Sequence, residues 1–321
     1  MSTISLFGVK WELNYDFWGA TANIADCFNE DIGRFYISKS IGDCPQDYWF
    51  KMISLIHEKT VFGEPYFIAC DKEIIFWKKE LSSINRQKFS FCTLDECLND
   101  FPVNFIDIQK RTLMLLYKKY PKYGCHINCP QYFECFAEND NDFIFIIKSM
   151  MKKNWIIAEI EELVGGKMIM QSIQIAEDGW TEIEKNIKES HEKQIFVAMW
   201  FDEKMDKAYN AIEKALRETD FVPRRIDKKQ FNTEISGEIL LEIANSGFIL
   251  ADVTGQRNGV YFEAGFAMGK RKPVILCCKK DDLENVHFDI RQYNHIVWDN
   301  ENDLYIKLKD RISGTIILNN I

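Results

Sequence analysis

From about residue 191 onward the apolar residues alternate between short runs and helix-spaced stripes. Runs at 195–199, 221–226, 248–251, 273–277 and 295–298 read as strands, the second a poor one because Pro223 interrupts it. Met205, Ala208, Tyr209, Ile212 and Leu216 line one side of a helix over 203–217, and Ile235, Ile239 and Ile243 do so over 234–245. A short helix begins near Gly259, and a last one covers 304–312. Strands alternating with helices imply parallel pairing and right-handed crossovers. The region is therefore expected to be α/β, with a flavodoxin-like parallel sheet of five strands in the order 2-1-3-4-5.

The pattern before it is different. Helices are expected at 108–119, 131–137 and 142–153, followed by alternating strands at 155–160 and 168–175 joined across Gly165-Gly166. Asp178-Gly179-Trp180 opens a helix leading out. Three helices and a β-hairpin resemble a winged helix-turn-helix, an α+β arrangement. Its third helix offers DNA mainly Lys148, Lys152 and Lys153, a thin phosphate footprint. Protein contact or spacing is the favoured use. Earlier still, 4–13, 34–37, 64–70 and 73–77 read as strands, and Trp49, Met52, Ile53, Leu55 and Ile56 mark a helix over 47–61. Three domains follow: an α+β domain over 1–103 whose role is not legible, a winged-helix-like domain over 104–190, and the α/β domain over 191–321.

Composition narrows the options. Hydrophobic residues are 46% of the chain, with 24 Phe and 8 Trp, so a substantial core is available. A formal charge of −9 argues against coating nucleic acid through the overall field, though not against a local basic patch. The N-terminus lacks a basic start followed by an apolar stretch, and the apolar run 143–147 is far too short to span a bilayer. The ten cysteines therefore read as reduced thiols of a cytoplasmic protein. Cys125, His126, Cys129 and Cys135 cluster without a second ligand pair, so no metal or cofactor is expected.

The candidate chemistry centres on 248–273. Asp252 ends an apolar run, Gly255 and Gly259 punctuate a polar turn, and Glu263 follows in what reads as the first turn of a helix. Open α/β sheets bind ligands outside the carboxyl ends of the strands, where the strand order switches. Asp202, Asp252, Asn258 and Glu263 are expected to meet there, with Met199 and Trp200 at the neighbouring strand exit and Trp200 suited to stacking on a base. The loop 288–295 adds Asp289 and Arg291, the latter able to pair with Asp289 or hold a phosphate. Plainer roles compete. Glu263 suits a helix dipole, Asp252 a turn and Asp202 a helix cap. Neither a Gly-x-Gly-x-x-Gly sequence nor a phosphate loop occurs.

The segments 196–199, 249–252, 258–267 (Asn-Gly-Val-Tyr-Phe-Glu-Ala-Gly-Phe-Ala) and 272–275 resemble the nucleoside 2-deoxyribosyltransferase superfamily, in its TIR-like branch found fused to other domains in bacterial defence proteins. The resemblance covers 194–313. It implies N-glycosidic cleavage, with Glu263 as nucleophile at the anomeric carbon and Asp252 handling the leaving base or orienting the sugar. Asn258, Gly259, Met199, Trp200, Asp202, Tyr261, Asp289 and Arg291 would bind substrate. An oxocarbenium-like transition state suits a two-carboxylate site, one carboxyl having a raised pKa. Asn258 stands where the family usually carries an aspartate, and Val260 replaces its threonine. Asparagine can hydrogen-bond but cannot act as an acid, which weighs against transfer more than against hydrolysis. The expected partners are a nucleoside, nucleotide or NAD substrate and a protein or second copy, with DNA contact weakly supported and no membrane. An effector role in anti-phage defence follows from the resemblance. The alternatives are a nucleotide-signal binding module without catalysis and a winged-helix DNA-binding regulator.

Overall fold

In the computed structural model of the chain, the apolar stretch 4–13 is two strands rather than one. β1 (Thr3–Leu6) and β2 (Val9–Leu13) pair antiparallel about Phe7 and Gly8, which take left-handed conformations with φ of 54° and 72°. The structure describes residues 3–13, 24–38, 41, 44–84, 89–128, 130–162, 168–226 and 235–317. The chain divides into two units, 1–186 and 187–321.

In the first unit, β3 (Ile24–Asn29), β4 (Gly33–Ser38), α1 (Trp49–Phe62), β5 (Tyr66–Ile68), α2 (Asp71–Ile84), β6 (Ser90–Cys92) and α3 (Leu94–Asn99) follow in order. The six strands lie in sequence order, antiparallel up to β4 and parallel from β4 to β6. Residues 73–77, expected as a strand, are helical within α2. Ile74-Ile75-Phe76-Trp77 reads equally as a buried strand or a helix segment. The crossover between the parallel strands β5 and β6 takes the helix, with Asp71 and Glu73 in its first turn.

The unit continues with α4 (Phe105–Lys119), β7 (Ile127–Asn128), α5 (Asp140–Lys152), β8 (Ile156–Glu162), β9 (Met168–Ile175) and α6 (Glu177–Lys193), the three strands antiparallel in the order β7-β9-β8. The helix expected at 131–137 is a 3₁₀ turn, Tyr132–Cys135. Gly165, Gly166 and Cys129 lie outside the described residues. Gly179 lets α6 pass close to the chain, since a Cβ there would sit 2.0 Å from the Trp155 carbonyl oxygen. The expected divide at residue 103 is bridged. Phe133 joins the core of Trp11, Met52 and Cys97, and Arg111 Nε donates to Glu58 at 2.9 Å. The boundary between units falls inside α6, a few residues before the expected 190.

The second unit runs β10 (Gln194–Ala198), α7 (Asp206–Glu218), β11 (Val222–Arg224), α8 (Ile235–Ala244), β12 (Phe248–Asp252), α9 (Asn258–Gly269), β13 (Val274–Lys279), β14 (His295–Trp298) and α10 (Glu301–Arg311). All five strands are parallel in the order β11-β10-β12-β13-β14, the 2-1-3-4-5 arrangement. Pro223 is tolerated because β11 is an outer strand. Phe248 and Leu250 pack with Ile212 of α7 and Leu304 and Leu308 of α10. Ile249 and Ala251 face the other way, onto Ile239 and Ile243 of α8 and Val260, Ala264 and Ala267 of α9. Burial on both faces explains why β12 reads as a continuous apolar run. Among the described residues, no helix is long and apolar enough to cross a membrane.

Candidate active site around helix α9

β12 delivers Asp252 to the start of a tight turn, but the carboxyl does not open onto α9. Alternation along the strand puts it on the side of Phe248 and Leu250, beneath α7 and α10. It is fully buried. Oδ1 accepts from the Thr254 N–H at 2.9 Å, and Oδ2 accepts from Trp298 Nε1 at 2.9 Å. Burial pushes its pKa up, against the lowering effect of the Thr254 and Trp298 hydrogen bonds. Asp252 thus locks the turn to the last strand.

The turn itself is left-handed at Gly255 and Gln256, with φ of 80° and 51°. Glycine is required at the first position, because a Cβ there would come within 2.6 Å of the Trp200 ring. Asp282, which sequence reasoning missed, braces the turn from the far side. Its Oδ2 accepts from Gly255 N at 2.6 Å and Gln256 Nε2 at 2.9 Å, and its Oδ1 from Asn285 Nδ2 at 2.8 Å. Partial burial works to raise its pKa, yet these hydrogen bonds outweigh it and the pKa is lowered. In the sequence, Asp281-Asp282 looks like a solvated acidic pair.

α9 begins at Asn258, so Glu263 is its sixth residue and sits in the second turn rather than the first. The dipole reading weakens accordingly, since the effect falls off within the first turn. Glu263 is only 4% exposed. With Val260, Ala264 and Ala267 against the sheet, a helix of 3.6 residues per turn sends Tyr261 and Glu263 to nearly opposite flanks. Tyr261 lies on the flank toward Leu276 of β13. Glu263 therefore lies on the flank toward β10, beside the β10–β12 switch in strand order.

The Tyr261 flank borders a cavity of about 410 Å³. Of the expected substrate residues, it gathers Asn258, Tyr261 and Asp289. Tyr261 Oη donates to Gln256 Oε1 and accepts from His287 N at 3.3 Å, and burial raises its pKa. Arg291 does not pair with Asp289, and two of its three guanidinium nitrogens are taken by carbonyls of its own loop. Its Nε donates to the Val286 carbonyl at 2.7 Å and its Nη2 to the Glu284 carbonyl at 2.6 Å, so it braces its own loop.

The other expected residues serve the scaffold. Met199 is buried in the core under α7 and α10. Trp200 lies against Gly255, and the Arg257 guanidinium is 4.1 Å from the centre of its ring. Asp202 Oδ1 accepts from Lys204 N at 3.0 Å, capping a 3₁₀ turn. Gly259 lies in the first turn of α9. The expected meeting of Asp202, Asp252, Asn258 and Glu263 in one crevice is therefore not what the chain builds: alternation, capping and the helical period send them apart. Among the described residues no group of three His, Cys, Asp or Glu could hold a metal. The described cysteines are free thiols. No family model, curated protein or solved structure matches the chain.

Proposed function

We propose that the second unit cleaves an N-glycosidic bond in a nucleoside, nucleotide or NAD, as a nucleoside deoxyribosyltransferase-like, TIR-like domain on a flavodoxin-like sheet. The observation that carries this reading is Glu263, a buried carboxylate on the α9 flank beside the strand-order switch. Its oxygen would bond to the anomeric carbon as the carbon–nitrogen bond breaks. The departing base takes the electron pair, with a proton from solvent when it leaves a neutral nucleoside or nucleotide and without one when it is the nicotinamide of NAD. Water then attacks the anomeric carbon, gives its proton to solvent and frees the sugar, returning Glu263 to a carboxylate. Asp252 acts here by position, holding the turn that leads into α9.

The first unit would host a winged-helix-like element, built from α4, the 3₁₀ turn, α5 and the β7-β9-β8 sheet, that senses a signal or holds a protein partner. A cytoplasmic defence effector is the role that fits both parts. DNA binding is less well supported. Lys153 Nζ donates to Gln109 Oε1 at 2.6 Å and lies 4.4 Å from the Trp155 ring centre, which leaves a thinner basic face. A nucleotide-signal binding module without catalysis is the second reading. It is favoured by the sealing of Asp252 on the far face of the sheet and by the amide at Asn258.

The test is release of free base from deoxynucleosides, their monophosphates and NAD by the purified full chain. Glu263→Gln should lower the rate at least about a hundredfold while melting is unchanged. An unchanged rate would remove Glu263 as nucleophile. Substrate binding without any base release would favour the binding module.

A further inference from the structure

The cavity on the outer flank of α9 has its own chemistry, separate from that of Glu263. Its floor is apolar, formed by Ala264, Met268, Leu276 and Ile290. Gly265 keeps it open, for a Cβ at that position would meet nothing within 4 Å. The rim carries three amides, Asn258, Asn285 and Gln256, the last engaged by Asp282 and Tyr261, together with Tyr261, His287 and Asp289. Asn285 spends an N–H on Asp282, which leaves its carbonyl oxygen as an acceptor. The Asn258 amide is exposed at the start of the helix and offers both a donor and an acceptor.

Charge selects against phosphate. Among the described lining residues there is no lysine or arginine, and Asp289 sits on the rim with His287 Nδ1 at 3.3 Å. An apolar slot rimmed by amides and an aromatic wall, with volume inside the usual small-ligand range of roughly 300–1,000 Å³, suits a flat heterocycle bearing ring nitrogens and an amide or amine edge.

We propose that this cavity is a second ligand site, which takes an uncharged nitrogen heterocycle of purine-base size. The floor stacks the ring, Asn258 and Asn285 read its polar edge, and the missing basic residues exclude the phosphorylated forms. The site is wired to the turn before α9: Tyr261 bonds Gln256, and Gln256 and Gly255 both bond Asp282. Occupancy therefore bears on the helix that carries Glu263. Binding itself does not depend on Glu263 being a nucleophile.

The test titrates adenine, hypoxanthine and guanine, and the corresponding nucleoside monophosphates, into the full chain by calorimetry. Gly265→Leu fills the cavity from the helix backbone and raises helix propensity, so the variant should fold. Asn258→Ala removes one reading group without touching the core. At least one free base should bind, more tightly than its monophosphate. Affinity should fall at least about tenfold in Gly265→Leu, by a smaller factor in Asn258→Ala, and by less than about twofold in Glu263→Gln. Loss of binding in Glu263→Gln with retention in Gly265→Leu would move the ligand to the other flank and overturn the proposal. So would tighter binding of the monophosphates, or no binding of any base.

Discussion

Glu134 in the first unit and Asp252 in the second are both buried carboxylates, and their surroundings treat the charge in opposite ways. Glu134 meets a cation and further donors: Lys119 Nζ bonds it, His57 Nε2 stands 3.3 Å away, and Gln131 N donates at 2.8 Å. Burial alone would raise its pKa, but these partners bring it down to about 2. Asp252 receives only neutral donors, the Trp298 indole and the Thr254 N–H, and burial wins. Asp26 in the first unit lies between them. One guanidinium, with Arg34 Nε at 3.3 Å, opposes burial without overcoming it, and the pKa remains raised. Hydrogen-bond satisfaction and charge compensation are thus separate conditions. At fully buried Asp252 the neutral donors do not offset desolvation, whereas at Glu134 a bonded ammonium together with further donors does.

The strongest way to break the comparison is Trp298→Ala. It should cost about 4 kcal/mol through the lost burial and the stranded Asp252 oxygen. Hydrogen exchange should report the loss in peptides of β12, β14 and α10. Adding Asp252→Asn should recover about 1 kcal/mol, because a neutral amide strands less. No recovery would mean that the indole mattered only as volume.

Glu134→Gln comes next. A pKa lowered from 4.5 to about 2 corresponds to about 3 kcal/mol of stability at neutral pH. That contribution is present above 4.5 and lost as pH falls toward about 2, so the wild-type advantage over Glu134→Gln should shrink on acidification. Asp252 has the opposite sign. Its folded pKa lies above the ordinary 3.8, so its contribution is present below 3.8 and fades as pH rises. Asp252→Asn should therefore gain on wild type with rising pH. Urea unfolding followed by exchange across this pH range reads both slopes, and parallel slopes would end the contrast.

The smallest effects should be equal in the two units. Thr93 Oγ1 caps α3 by accepting from Glu96 N while Thr93 N donates back to the Glu96 carboxylate, and Asn300 caps α10 by accepting from Asp303 N. Alanine at either should cost about 1 kcal/mol in the local exchange of its helix. A much larger loss on one side would shift the difference between the units from buried charge to helix ends.

The sheet of the second unit was readable because β10, β12 and β13 are apolar on both faces and α7 and α8 carry stripes. The run 248–251 and the stripe at Ile239 and Ile243 need no tertiary information. The site was less readable, since convergence depends on side-chain direction. Asp252 and Asn258 share the turn in sequence, but strand alternation sends Asp252 to one face while the helical period puts Asn258 and Glu263 on opposite flanks. In the first unit, the turn at Phe7-Gly8 hides inside an apolar stretch, and the Glu58–Arg111 bond spans 53 positions. Neither leaves a local pattern.

Each margin of the parallel sheet carries a feature that disfavours a further strand. Pro223 has no N–H to offer from β11, and Lys307 Nζ occupies the Val297 carbonyl of β14 at 2.8 Å. A neighbouring molecule that tried to extend the sheet would find a missing donor at one side and a charged ammonium at the other. The two margins thus work against strand-by-strand growth of the sheet into an open-ended assembly.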